Sequence, residues 1–196
     1  VTPNITKWDS VNLKDCTVTD PVEETRKVID EIKDQVDVLI AVVHMDVENE
    51  YETANSGMRD LANACPELDL IIGGHGHQLI ENEEINGVYI VENKSSAATL
   101  SEIHLELEKS ENGWDIVNHT SVSHAIGEYE ADKELAELLV PYDEKAKEDA
   151  SIVIGKLEGG SLAPENEISE IPTAQIQDTA LMDLIQEVQL YYTDAD

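Results

Sequence analysis

Three histidines, His44, His75 and His77, have the types and spacing that suit chemistry. Neutral imidazole is the usual nitrogen ligand for zinc, manganese and iron. His75 and His77 stand in a Gly73-Gly74-His75-Gly76-His77 segment. Glycine there lets the backbone turn sharply and lets a metal or phosphate come close. Two histidines two residues apart can reach one metal cluster only where the backbone is not a regular helix, and a glycine-rich loop meets that condition. A lone histidine after a strand is more often structural, but two such segments at one sheet edge favour a metal. Three imidazoles alone would resemble a mononuclear hydrolytic zinc site with one open position. Phosphoester hydrolysis asks for more: two metals about 3.5–4 Å apart, with a bridging aspartate and further Asp or Asn ligands. Asp46 lies near His44, and Asp37 and Asp69 precede strands, but these positions suit turns and strand starts. The bridging ligand is not evident. His104, His119 and His124 share no spacing logic and read as surface or pairing residues.

The elements that must position these histidines form an α/β pattern. Asp20 reads as a helix N-cap, Pro21 as the first helical residue and Glu23 as the third, a capping-box arrangement. Val22, Val28, Ile29, Ile32 and Val36 then recur at helical spacing. Residues 38–43 are a continuous, largely β-branched apolar run, as expected of a strand covered on both faces, and the run ends at His44. Met58, Leu61, Ala62 and Cys65 make a second helical stripe, which Pro66 stops. Residues 68–72 are the next buried strand and end at the glycine–histidine segment. Ligand sites of open α/β sheets collect at this C-terminal edge, where the loops converge.

Beyond His77 the period changes to two. Residues 88–91, 100–107 and 114–123 read as strands, with Asn86-Gly87 and Asn112-Gly113 as turn dipeptides and antiparallel pairing as the expected outcome. A helix over about 133–149 follows, with Leu135, Leu138, Leu139 and Tyr142 as its apolar face. Residues 152–154 read as a short strand and 159–167 as a loop. A last amphipathic helix starts at about Gln175, with Ile176, Ala180, Leu184, Val188 and Tyr191 on one stripe. The chain stops at Asp194-Ala195-Asp196 with little visible partner for that stripe, which points to self-association through this helix.

Charge narrows the function further. Forty-three acidic residues face twelve basic ones, a formal net charge of −31 over 196 residues. Such a chain repels DNA, RNA and anionic bilayers. An aromatic content of 4% with no Phe argues against a base-stacking surface. The apolar share of 41% suffices for a core. No apolar run approaches the roughly 20 residues that span a bilayer, and the first residues lack the features of a signal peptide. Cys16 and Cys65 match no zinc or redox spacing, and the sequence leaves a bridge between them open.

His44 within Val-Val-His-Met, together with Gly73-Gly74-His75-Gly76-His77, resembles the last two motifs of the calcineurin-like metallophosphoesterases. Thr2-Pro3-Asn4-Ile5, Asp20-Pro21-Val22-Glu23, Asn86-Gly87-Val88 and Val91-Glu92-Asn93-Lys94 sharpen the likeness. They resemble the bacterial 2′,3′-cyclic-nucleotide 2′-phosphodiesterase/3′-nucleotidase branch of the 5′-nucleotidase family. The segment from Ile171-Pro172-Thr173 to Asp178-Thr179-Ala180 is similar to the start of that family's C-terminal nucleotide-binding domain.

The resemblance implies an internal fragment: the C-terminal half of a layered α/β/β/α metallophosphoesterase sheet fold, plus the start of a second α+β domain. The implied division is 1–127 for the first, 128–150 for a linker helix and 151–196 for the second. His44 and His75 would share one metal and His77 would serve the other, of two divalent ions drawn from Mn, Zn, Fe or Co. The family's Asp-x-His, Gly-Asp and Gly-Asn-His motifs do not occur in this chain and are expected before Val1. The implied parent hydrolyses 2′,3′-cyclic nucleotides and nucleoside monophosphates outside the cell, in the cell wall or in the periplasm. The fragment itself is expected to be inactive. Asp46 departs from the Gly often found there. Two other readings are a non-catalytic acidic metal-binding or interaction module and a nucleotide-sugar hydrolase of the same family.

Overall fold

The computed structural model describes residues 1–193 except Asn112 and Leu157. Asn112 of the expected second turn and the terminal Asp194-Ala195-Asp196 therefore lie outside the described residues. The chain divides into two compact units, Val1–Ala131 and Asp132–Asp196.

The first unit runs α1 (Ile5–Trp8), α2 (Pro21–Ile32), β1 (Ile40–Val42), α3 (Met58–Ala64), β2 (Leu70–Gly73), β3 (Ile80–Ile85), β4 (Val88–Glu92), β5 (Thr99–Lys109) and β6 (Trp114–Ala125). Asp20 caps α2 by accepting from the amides of Val22 and Glu23, with Pro21 at the first turn. The helix ends at Ile32, so Val36 falls outside the stripe assigned to it. The short α1 was not expected.

Strands β1, β2 and β4 run parallel, with Ile40 opposite Leu70 and Ile71 opposite Ile90, and β3 pairs antiparallel to β4 in the order β1-β2-β4-β3. The core gathers Ile29 of α2, Met58, Leu61 and Ala62 of α3, and Ile71, Ile85, Val88 and Ile90 of the sheet. Burying side chains of this kind is the main favourable term in folding, about 1.5–3 kcal/mol for each large one. Arg26 ties α2 to the end of α3 through the Ala64 carbonyl and Glu67. Cys65 is buried, Cys16 is exposed, and both are free thiols.

Several expectations need correction. The run 38–43 yields only a three-residue strand, and it is not covered on both faces: Val42 is 77% exposed, because β1 is the outer strand of its sheet. The strand over 88–91 joins β2 in parallel as well as pairing with β3, so the antiparallel expectation holds only on one side. Strand β3 was unforeseen. Its partner is fixed by Asn86-Gly87, both at positive φ (53° and 83°), as a two-residue hairpin turn of the primed type requires. Strands β5 and β6 form the expected antiparallel pair, from Thr99 opposite Ala125 to Lys109 opposite Trp114.

The second unit holds α4 (Lys133–Ala150), capped by Asp132, and α5 (Ala180–Thr193). Residues 152–154 form no strand. No described strand lies beside them, and Ile154 is 99% exposed. The last helix starts at Ala180 rather than near Gln175, because Thr173–Gln175 forms a separate 3₁₀ turn. Buried Thr173 anchors that turn: its hydroxyl donates to the Glu165 carbonyl and its amide donates to the Asn166 side chain.

Candidate metal centre

His44 and His75 follow the C-terminal ends of the neighbouring parallel strands β1 and β2, each two residues beyond its strand. The backbone fixes both. The Thr2 amide donates to the His44 carbonyl (2.8 Å), Val43 pairs with the Ile72 carbonyl, and fully buried Met45 bridges to Gly74. The two imidazoles meet edge to face, with ring centroids 5.0 Å apart and planes at 63°. Partial burial is the largest influence holding the His44 pKa below the ordinary histidine range, with His75 and His77 acting in the same direction. His44 is thereby kept in the neutral form that binds metals.

The loop that carries His75 and His77 is conformationally demanding. His75 has φ 105° and His77 has φ 56°, a region L-residues enter at a cost of about 1–3 kcal/mol each. Asp46 packs beneath Gly76, where an added Cβ would come within 2.4 Å of its Oδ1. Gln78 donates weakly to the same carboxylate oxygen, 3.4 Å away.

Two partners of His75 were not legible in the sequence. Glu50 places Oε2 2.9 Å from His75 Nε2, and both side chains are mostly shielded (20% and 23% exposed). Trp8 lies over the same imidazole, with centroids 5.2 Å apart. Glu50 belongs to the acidic stretch after His44, and nothing in its spacing distinguishes it from Asp46 or Glu48. The structure thus brings His44 and His75 together. His77 stays exposed on the same loop, and among the described residues no group of three His, Cys, Asp or Glu side chains is gathered to hold an ion.

The carboxylates noted beside the histidines have other partners. Asp69 accepts from the Leu39 amide, Asp37 from the Trp114 amide and Asp46 from the Val47 amide. Of the remaining histidines, His104 and His124 both bond Glu102, at 2.6 and 2.9 Å, and His119 bonds Asn82. Glu102 lies two residues before His104 on β5, and the pairing of β5 with β6 brings it to His124, a contact that linear spacing does not reveal.

No family model matches the chain. Among curated proteins, the trifunctional nucleotide phosphoesterase YfkN of Bacillus subtilis is 32% identical over 60% of this chain and 9% of its own length. The 2′,3′-cyclic-nucleotide 2′-phosphodiesterase/3′-nucleotidase of Haemophilus influenzae is 28% identical over 99% of this chain and 32% of its own. The chain thus spans between about a tenth and a third of the length of these relatives. Among solved structures, the calcineurin-like phosphoesterase YfkN from Bacillus subtilis superposes with a TM-score of 0.65 at 27% identity. That match covers 76% of this chain and 50% of that one. In sequence the chain is similar to 2′,3′-cyclic-nucleotide 2′-phosphodiesterase/3′-nucleotidases and 5′-nucleotidases, and in fold it has the α/β architecture of a calcineurin-like phosphoesterase.

Proposed function

We propose that this chain carries the histidine side of a two-metal centre that hydrolyses 2′,3′-cyclic nucleotides and nucleoside monophosphates. The observation that supports the reading best is the meeting of His44 and His75 at one edge of parallel strands, with His77 on the same loop. Donor chemistry fits. His44 is held neutral, and Glu50 at His75 Nε2 selects the tautomer whose Nδ1 lone pair is free for a metal. His44 and His75 would hold one divalent ion and His77 the other. When bound, the metals supply Lewis-acid activation of water and neutralise the phosphoryl charge. That neutralisation offsets the repulsion of an anionic substrate by a chain of net charge −31. The metals would be Mn, Zn, Fe or Co.

In this reading residues 1–127 are the later half of the phosphoesterase domain, 128–150 a linker helix, and 151–196 the start of a nucleotide-binding domain. The parent acts outside the cell, in the wall or in the periplasm. No described helix is long and apolar enough to cross a membrane. The carboxylate motifs absent from this chain supply the bridging ligand, so the chain alone turns over no substrate. Its apolar last helix favours self-association. Hydrolysis of a nucleotide sugar would leave the histidine geometry the same and differ in residues outside it.

A second reading, a non-catalytic acidic metal-binding or interaction module, is motivated by the net charge of −31 and by the carboxylate motifs missing from this chain. Metal content per chain after incubation with Mn²⁺ and Zn²⁺, with 2′,3′-cyclic AMP turnover measured alongside, tests the phosphoesterase reading. The phosphoesterase reading expects bound metal that disappears in His75→Ala/His77→Ala, without turnover by the chain alone. Absence of metal from the unsubstituted chain would leave that reading unsupported.

A further inference from the structure

Strand β4 delivers a third chemically distinctive residue to the edge already occupied by His44 and His75. Glu92 ends the strand, level with Gly73 of β2 on one side and Ile80 of β3 on the other. It is 0% exposed, and neither carboxylate oxygen completes a hydrogen bond of ordinary geometry. Its register partners Gly73 and Ile80 bound the loop of residues 74–79, whose amides at Gly76, His77 and Gln78 lie near the carboxylate and favour its charged form. Burial, first, and the nearby Asp46 carboxylate work the other way and raise its pKa.

A buried carboxyl in this condition is costly. Removing a polar group from water without a full set of partners costs on the order of 1–3 kcal/mol, and an apolar residue of similar shape would avoid that. No described Lys, Arg or His forms an ion pair with it. A role as a metal ligand is disfavoured by its surroundings: the nearby loop amides favour an anion rather than a cation, and the carboxylate is fully buried. Those N–H groups belong to the loop whose backbone is strained at His75 and His77. A local cost of this kind persists where the surrounding structure uses it.

We propose that Glu92 is a positioning residue for the histidine loop: its carboxylate, walled in beneath residues 76–78, fixes the height and turn of the backbone that carries His75 and His77. Asp46 supports the same loop from beneath Gly76, so two carboxylates form its floor. The proposal rests on the reading of His75 and His77 as metal ligands only for its consequence. The anchoring itself concerns the chain alone.

The test compares the full chain with Glu92→Met and Glu92→Gln. Amide hydrogen exchange of residues 76–78 is measured by NMR in metal-free protein, with the β2 amides Leu70–Gly73 as an internal reference. Glu92→Met is expected to speed exchange at 76–78 by about tenfold relative to β2, with no fall in Tm. Glu92→Gln keeps an oxygen acceptor and is expected to stay near the unsubstituted chain. Titration with Mn²⁺ is expected to show about 10–100-fold weaker binding in Glu92→Met. Unchanged exchange at 76–78 in Glu92→Met would overturn the proposal, as would equal acceleration by Glu92→Gln. If the unsubstituted chain binds no metal, the metal reading fails while the exchange comparison still decides the role of Glu92.

Discussion

The Nε2 nitrogen of His75 lies 2.9 Å from the Glu50 carboxylate, while the His44 ring meets the same imidazole edge to face. A carboxylate accepts, so Nε2 carries a proton here, and in the neutral imidazole that leaves the lone pair on Nδ1. Residues that orient a ligating histidine in this way govern affinity almost as strongly as the ligands. Glu50→Ala is therefore expected to weaken Mn²⁺ or Zn²⁺ binding by about 10–100-fold. Glu50→Gln should fall between, because its amide oxygen can still accept from Nε2. Calorimetric titration checks this, and equal affinity in all three proteins would remove Glu50 from the site.

Gly76 and Asp46 are coupled sterically. A Cβ on residue 76 would lie 2.4 Å from Asp46 Oδ1, well inside van der Waals contact. Gly76→Ala alone should destabilise the loop by about 1–3 kcal/mol. In an Asp46→Gly background the obstacle is gone, and the same substitution should cost much less. A double-mutant cycle by urea denaturation measures the difference, and strict additivity would show that the contact does not constrain the loop.

How much of this was legible in the sequence depended on whether the signal was local. The ends of the strands at His44 and His75 could be read because apolar runs stop abruptly at polar, glycine-rich segments. The Asp20-Pro21 start of α2 could be read because capping involves only the next few amides. Strand β3 was hidden because four polar residues, Glu81 to Glu84, separate its apolar ends. It is an outer strand, which needs little apolar sequence. Residues 152–154 erred the other way: a β-branched triplet has strand propensity but no strand beside it to realise it. Glu50, Trp8 and Glu92 reach the histidines only through tertiary contacts, and no periodicity marks such residues.

The Asn86-Gly87 turn offers a cleaner test of the hairpin that β3 and β4 form. Gly87 has φ 83°, and no atom lies within 4 Å of where its Cβ would stand. Replacing it therefore probes backbone strain without a clash. Gly87→Ala is expected to cost about 1 kcal/mol, read as a lowered midpoint in thermal or urea unfolding. A neutral result would mean the turn relaxes to another type without disturbing the Ile85–Val88 pairing.

Asp20 joins two parts of the first unit and gives a pH dependence of definite sign. Its Oδ1 accepts from the amides of Val22 and Glu23, and its Oδ2 accepts from the Asn55 side chain at 2.7 Å. Partial burial pushes the carboxyl pKa up, but the Asn55, Glu23 and Val22 bonds outweigh it and hold the value below the ordinary aspartate range. The unfolded chain then binds the proton more readily than the folded one. Asp20 therefore contributes stability that is present above about pH 4 and is lost as pH falls through the lowered folded value. Asp20→Ala should cost about 1 kcal/mol at neutral pH through the lost cap. Asp20→Asn keeps an oxygen for the helix amides but has no proton to gain, so it should flatten the acid side of the stability curve while losing less at neutral pH. Unfolding midpoints measured between about pH 2 and pH 7 distinguish these outcomes. An acid limb unchanged in Asp20→Asn would show that the carboxylate is not ionised in its capping role.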